Sequence, residues 1–219
     1  AEAAAAAGVR DFVFTSSIAV NGNGTDGRAP FRESDAPAPA GPYGESKAAA
    51  ERGLEEIAER TGMAVTAFRP PLVHGHGAPG NMARLEAAIR RGVPLPLASI
   101  RNRRAFLGVD NLVDFVNWRL AQTNSGFEAF IVADDEQPST PEFVAAIADA
   151  MGARARLIPF PVPMLRALLA ATGKSGMAES LVASLAVDTA KVRAAGWHPR
   201  FSLREGLARA FANQATTVS

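Results

Sequence analysis

Cysteine is absent from these 219 residues, so neither a disulfide framework nor a thiolate metal site can be built. Histidine is scarce. His74, His76 and His198 are too scattered for a zinc pattern, and His74-Gly75-His76 reads as a loop. The apolar stretches are broken by Arg, Pro or Gly, which leaves no run of the roughly 20 residues that a membrane-spanning helix needs. A net charge of +1 supplies no strong field for nucleic acid or an anionic membrane. No charged leader followed by a cleavage site opens the sequence, so the default expectation is a cytoplasmic protein. What is present is ordinary: 47% hydrophobic and 21% charged residues suit a globular chain of one domain or one and a half.

Tyrosine occurs once, and its setting is informative. In Gly41-Pro42-Tyr43-Gly44-Glu45-Ser46-Lys47, Pro42 suits the start of a helix, where its fixed φ fits and its missing N–H is no loss. The residues that follow are strong helix formers, so Tyr43 and Lys47 share one face four residues apart. A nearby ammonium favours the phenolate and lowers a tyrosine pKa from about 10, which would make Tyr43 an acid–base group. Taken alone, the pair also fits an ordinary amphipathic helix.

Upstream, the alanine-rich segment 1–8 opens without a capping residue and ends at Gly8, as the last turns of a helix do. Residues 9–14 read as a buried strand, followed by Thr15-Ser16-Ser17. In open α/β sheets ligands bind outside the carboxyl ends of the strands, which places the Ser16 and Ser17 hydroxyls well for chemistry. A Gly-, Pro- and Asp-rich loop over 21–40 delivers the chain to Tyr43. A second buried strand over 63–69 is stopped by Pro70-Pro71, and 72–80 reads as a glycine-rich loop that lets backbone approach a ligand. Helices follow over about 81–91, 110–121, 140–151, 163–171, 189–195 and 203–214. Strands are expected at 105–109 and 127–133, with a weak helix or loop over 173–185. Alternating strands and helices predict an α/β fold with a doubly wound parallel sheet, and the mixed second half suits a smaller lobe.

With Ser17, Tyr43 and Lys47 placed, the chain resembles the extended short-chain dehydrogenase/reductase family, and within it nucleotide-sugar epimerases and dehydratases of the UDP-galactose 4-epimerase type. The resemblance rests on six pieces in order: 14–22 around Ser17, Tyr43-x-x-x-Lys47, Arg69-Pro70-Pro71-Leu72-Val73-His74-Gly75, Gly80-Asn81, 103–112, and Asp188-Thr189-Ala190-Lys191 with Ala195-Gly196-Trp197-His198-Pro199. It implies catalysis by Ser17, Tyr43 and Lys47. It implies NAD, with NADP open, held by Thr15, Ser16, Tyr43, Lys47, Pro70, Pro71 and Val73. It implies a nucleotide-diphosphate sugar, a UDP-sugar first, held by Ser17, Asn81 and Arg104, with no metal. Residues 1–80 would be the remainder of a Rossmann-type NAD-binding domain. Residues 81–219 would be mainly a substrate-binding lobe, with some elements returning to the first domain. A homodimer is expected of the full-length protein, without nucleic-acid or membrane partners.

The sequence departs from that family in three ways. No Gly-x-x-Gly-x-x-Gly turn occurs, nor an acidic residue for the adenosine ribose, so the chain reads as part of a longer protein. Expressed alone, it is expected to be poorly soluble or oligomeric and not to bind NAD. Asn21 and His74 stand where the family often has tyrosine, near the expected site. Ile18 and Ala19 follow Ser17 where the family's dehydratases carry Asp-Glu. The expected reaction is therefore 4-epimerisation, or else reduction of a 4-keto sugar; a catalytically silent dinucleotide sensor is the non-enzymatic alternative.

Overall fold

Three β-rich segments pair into a parallel sheet in the order β1 (Asp11–Thr15), β2 (Ala64–Arg69), β5 (Phe127–Ile131). The computed structural model describes residues 1–39, 41–75, 77, 80–173 and 175–215. Asp11 to Thr15 pair with Ala64 to Phe68, and Val65 to Arg69 with Phe127 to Ile131. The middle strand, β2, is buried at every position, whereas β1 at the sheet's edge is half-buried.

Both faces of the sheet are covered, as continuous apolar strands require. Side chains alternate between faces. Phe12, Phe14 and Val65 meet Leu54 and Ala58 of helix α2 (Gly41–Thr61) and Ala4 and Ala5, at the N-terminus, where α1 (Glu2–Ala6) lies. Val13, Phe68 and Phe130 meet Phe115 of α4 (Val109–Leu120) together with Val192 and Trp197. Phe115 is the hub of that layer, with its ring centroid 5.3 Å from Phe68 and 5.5 Å from Trp197. The doubly wound arrangement expected from the sequence is thus present.

The start of α2 is built as its residues predict. Gly41 takes φ +77°, a value open to glycine, and Pro42 occupies the first turn. At its other end the sheet side of β2 stops at Arg69, before Pro70-Pro71. One expectation fails here. Leu72-Val73-His74 is not loop but a short strand, β3, that pairs in parallel with β4 (Phe106–Gly108). Three residues between prolines and glycines carry too little periodicity to reveal a strand whose partner lies more than 30 residues away.

A second core lies beyond the sheet. Phe143, Val144 and Ile147 of α5 (Thr140–Ala150), Leu165 of α6 (Val162–Ala171) and Leu207 of α9 (Leu203–Ala215) pack with Met82 and Ile89 of α3 (Asn81–Arg90) and Val182 of α7 (Ser175–Val182). Ser139 and Glu142 close a reciprocal capping box at the start of α5. Residues after 81 therefore divide. Residues of α4 and β5, with Val192 of α8 (Ala190–Ala194), join the layer against the sheet, and the other helices form the second core.

The C-terminal signature residues explain themselves in this frame. Lys191 donates to the Ala129 carbonyl at 2.8 Å and lies 4.8 Å over the Phe130 ring, and buried Trp197 donates through Nε1 to Asp114 at 3.0 Å. They hold the end of the chain against β5 and α4.

Candidate functional site

At the carboxyl end of β1 the chain turns sharply through Ser16 and Ser17 into a single 3₁₀ turn, Ile18–Val20. Ser17 caps that turn, its Oγ accepting from the Ala19 N–H at 3.2 Å. Ile18 N–H reaches the Pro70 carbonyl at 3.0 Å, and Ser16 N–H the Phe68 carbonyl at 2.8 Å. The serines are thereby pinned to the end of β2. Helix α2 arrives from the other side. A Cβ built on Gly44 would sit 2.7 Å from the Ala19 carbonyl oxygen, so glycine is what lets the turn holding Tyr43 close onto the turn holding Ser17. Gly44→Ala is expected to force the two apart and destabilise the fold by about 1–3 kcal/mol, the usual penalty of overpacking. A melting temperature equal to wild type would show that the contact yields freely.

Tyr43 presents its ring to solvent, 61% exposed. One turn on, the Lys47 ammonium lies 5.9 Å from the Tyr43 ring centroid and 4.8 Å from that of Phe14, and donates to the Thr15 carbonyl at 2.9 Å. Thr15 is exposed beside it, and Ser17 is half-buried. The sequence-predicted residues thus gather where two strands end and one helix begins. Pro70 and Pro71 are buried beneath, and Val73 packs into the layer of Phe68 and Phe115.

Ser16 faces the other way. It is 2% exposed, and its hydroxyl donates to Glu51 at 2.5 Å. Glu51 stands one further turn along α2 from Lys47 and is itself buried. Its carboxylate receives the Arg69 guanidinium through Nε at 2.9 Å and Nη2 at 2.5 Å. Arg69 Nη1 goes on to Asn21 Oδ1 at 3.0 Å, and Asn21 Nδ2 to the Arg32 carbonyl at 2.8 Å. This buried chain ties α2, the end of β1, the end of β2 and the loop after the 3₁₀ turn into one piece. Sequence reasoning missed Glu51 and Arg69 as site residues. The signal available was the spacing Tyr43, Lys47, Glu51, which repeats every four residues and so marks one helical face.

Asn21 and His74, expected near the reacting groups, are both turned inward. Asn21 belongs to the chain just described. His74 is 1% exposed, and its Nε2 lies 3.2 Å from Asp134. Asp134 also accepts from Gly108 N–H at 3.0 Å and Asn111 Nδ2 at 2.7 Å. Asn111 in turn fixes the backbone of Arg200 and Phe201. His74 is therefore a strut between β3 and the C-terminal segments.

Arg104 lies apart from the serines. It lines a cavity of about 130 Å³ with Leu72, Met82, Phe106, Phe143 and Leu181, and donates to the Ala183 carbonyl at 2.9 Å. Burial pushes its pKa down from the ordinary arginine value, and Asp26 opposes that shift. Arg103 beside it is exposed. Asn81 begins α3, next to Gly80 at φ +77°; its side chain, like all of His76, lies outside the described residues. Among the described residues no group of three or more His, Cys, Asp or Glu could hold a metal ion, and no helix is long and apolar enough to cross a membrane.

Against known proteins, the sequence model described as "NAD dependent epimerase/dehydratase family" matches residues 1–133. A Vibrio cholerae protein named UDP-glucose 4-epimerase is 35% identical over 201 residues, covering 91% of this chain and 61% of that protein. One from Escherichia coli O157:H7, named N-acetyl-alpha-D-glucosaminyl-diphospho-ditrans,octacis-undecaprenol 4-epimerase, is 27% identical, covering 92% and 64%. The chain thus spans about three fifths of the length of these relatives. Among solved structures, MoeE5 in complex with UDP-glucose and NAD superposes with a TM-score of 0.75 at 26% identity, over 100% of this chain and 69% of that one.

Proposed function

Because the chain belongs to the NAD dependent epimerase/dehydratase family, we propose that it carries the catalytic groups of a nucleotide-diphosphate-sugar 4-epimerase that uses NAD. The observation that carries this reading is the gathering of Tyr43, Lys47 and Ser17 at the carboxyl ends of β1 and β2. Relatives named for 4-epimerisation support it, and so does a neighbour that holds UDP-glucose and NAD.

When bound, NAD⁺ would supply a reversible hydride acceptor for carbon 4 of the sugar. The residues present fit such a group. Lys47 has three N–H donors, one of them committed to Thr15, which leaves donors for ribose hydroxyls. Thr15 and Tyr43 border it in the open, while Pro70, Pro71 and Val73 give the floor an apolar character. In the reaction Tyr43 accepts the C4 hydroxyl proton as a general base and gives it back to the ketone oxygen as a general acid. Ser17 hydrogen-bonds the same oxygen. Lys47 holds a positive charge beside the phenol ring throughout.

The two residues after Ser17 carry no carboxylate: Ile18 is buried, and Ala19 lies against Gly44. Removal of water, which needs an acid and a base there, is therefore not proposed. Reduction of a 4-keto sugar needs the same three residues and no return step, and turnover separates the two. The intact protein should interconvert two UDP-sugars with catalytic NAD and without net consumption of NADH. Stoichiometric NADH oxidation would assign it to reduction, and neither activity would leave a dinucleotide sensor.

Arg104 is proposed to hold the substrate diphosphate from its cavity. Arg104→Ala should raise KM about 10-fold or more, for loss of a charge-assisted hydrogen bond worth roughly 1.5–3 kcal/mol. Arg103→Ala should do less, because that side chain faces solvent. A larger effect at Arg103 would put the diphosphate on the other side of this segment.

A further inference from the structure

Helix α6 is apolar all round apart from Arg166, a composition that suits a helix buried on every side. It is not so buried. Leu165 packs into the second core, with Val162 and Leu169 against it. The opposite stripe, Met164, Ala167, Leu168 and Ala171, is exposed along its length, with Met164 at 58% and Leu168 at 56%. The strand-like approach to α6 extends the patch, for Ile158 is 42% exposed and Pro159, Pro161 and Pro163 stand beside it. A contiguous apolar face of this kind marks an interaction surface.

Its rim says what covers it. Ile158 accepts from the Ala98 N–H, Arg101 donates to the Ala98 carbonyl, and Arg156 donates to the Gly92 carbonyl. Arg101 and Arg156 therefore lie near Ile158, with exposed Arg154 two residues before Arg156. Arg166 lies within α6 itself, 3.7 Å from Glu179. The net charge of +1 hides a separation. Residues 150–178, which contain this helix and its approach, carry four Lys or Arg and no Asp or Glu. An apolar helix face with arginines at its Ile158 end and one within the helix matches the interface of a bilayer with anionic headgroups, where apolar side chains enter the acyl boundary and cations meet phosphate.

We propose that the exposed face of α6, with Ile158 and the arginines around it, docks the protein on the surface of an anionic phospholipid bilayer. The helix lies in the plane of the interface and does not cross it. The sequence expectation of no membrane partner rested on net charge and on the lack of a spanning helix, and neither addresses a surface contact of this kind.

Vesicle flotation tests it, using the intact protein with phosphatidylglycerol–phosphatidylcholine vesicles and with phosphatidylcholine alone. The wild type should float with the anionic vesicles, float poorly with the neutral ones, and be released as salt shortens the Debye length. Met164→Ser/Leu168→Ser should weaken binding about tenfold or more through lost apolar insertion. Arg154→Glu should weaken it independently, and both variants should keep the wild-type melting temperature, since these side chains face solvent. A wild type that stays at the bottom with anionic vesicles overturns the proposal, as does a double variant that floats equally well. A dimer that Met164→Ser/Leu168→Ser converts to monomer, with no flotation, would give the face to a second copy instead. These readouts do not depend on turnover and so stand or fall separately from the proposed reaction.

Discussion

Tyr43→Phe in the intact protein should lower kcat by at least about 10²-fold, the usual contribution of a positioned general acid–base group, with little change in cofactor affinity. The ring is 61% exposed and its hydroxyl supports no described hydrogen bond, so the substitution removes an oxygen without disturbing the fold. The first turn of α2 stays seated, since Gly44 and not Tyr43 makes the close approach to Ala19. A loss confined to kcat identifies a group that acts in the transition state. Retention of more than about a tenth of wild-type turnover would remove Tyr43 from the proton path.

Glu51→Ala should be the most destabilising single change at the site, by roughly 3–5 kcal/mol, because it strands the buried Arg69 guanidinium without its counter-charge. Glu51 and Arg69 are both about 95% buried and bonded through two guanidinium nitrogens. The Ser16 hydroxyl loses its acceptor at the same time. The pair itself need not stabilise the fold, since two charges must leave water to form it. Glu51→Leu with Arg69→Met should therefore recover most of the loss. Denaturant melts of the two variants make the comparison. A Glu51→Ala protein within about 1 kcal/mol of wild type would mean that water reaches Arg69, and that the network is not sealed in the way its burial implies.

Much of this was legible in the residues. Apolar runs over 9–14 and 63–69 have the length and composition of covered parallel strands, and Pro42 and Gly41 announce the start of α2. Tyr43 and Lys47 declare themselves because a helix returns to the same face every four residues. Ser16 and Ser17 stood out together by their place after a strand, and the family resemblance singled out Ser17. The directions in which neighbouring polar side chains point were not legible. Ser16 and Ser17 are adjacent and chemically identical, yet one turns to the buried Glu51 and the other caps the open turn. The acceptor that claims Ser16, Glu51, is 35 residues away in sequence. His74 looked like a loop residue for a similar reason, because β3 exists only against β4 and His74 is held by Asp134, 60 residues downstream. Local patterns report local structure. They do not report which distant carboxylate claims a hydroxyl or a ring.

The outer edge of β5 is already occupied, although not by a strand. Glu33 accepts the Ile131 N–H at 2.7 Å, and Lys191 donates to the Ala129 carbonyl. Side chains of opposite charge thus take backbone groups that a neighbouring strand would use, which is how proteins blunt an edge against unwanted pairing. The sheet consequently has a preferred direction of growth: a strand added beside β5 would have to displace Glu33 and Lys191 from these two backbone groups. Lys191→Ala combined with Glu33→Ala would release both backbone groups and offer β5 to an added strand.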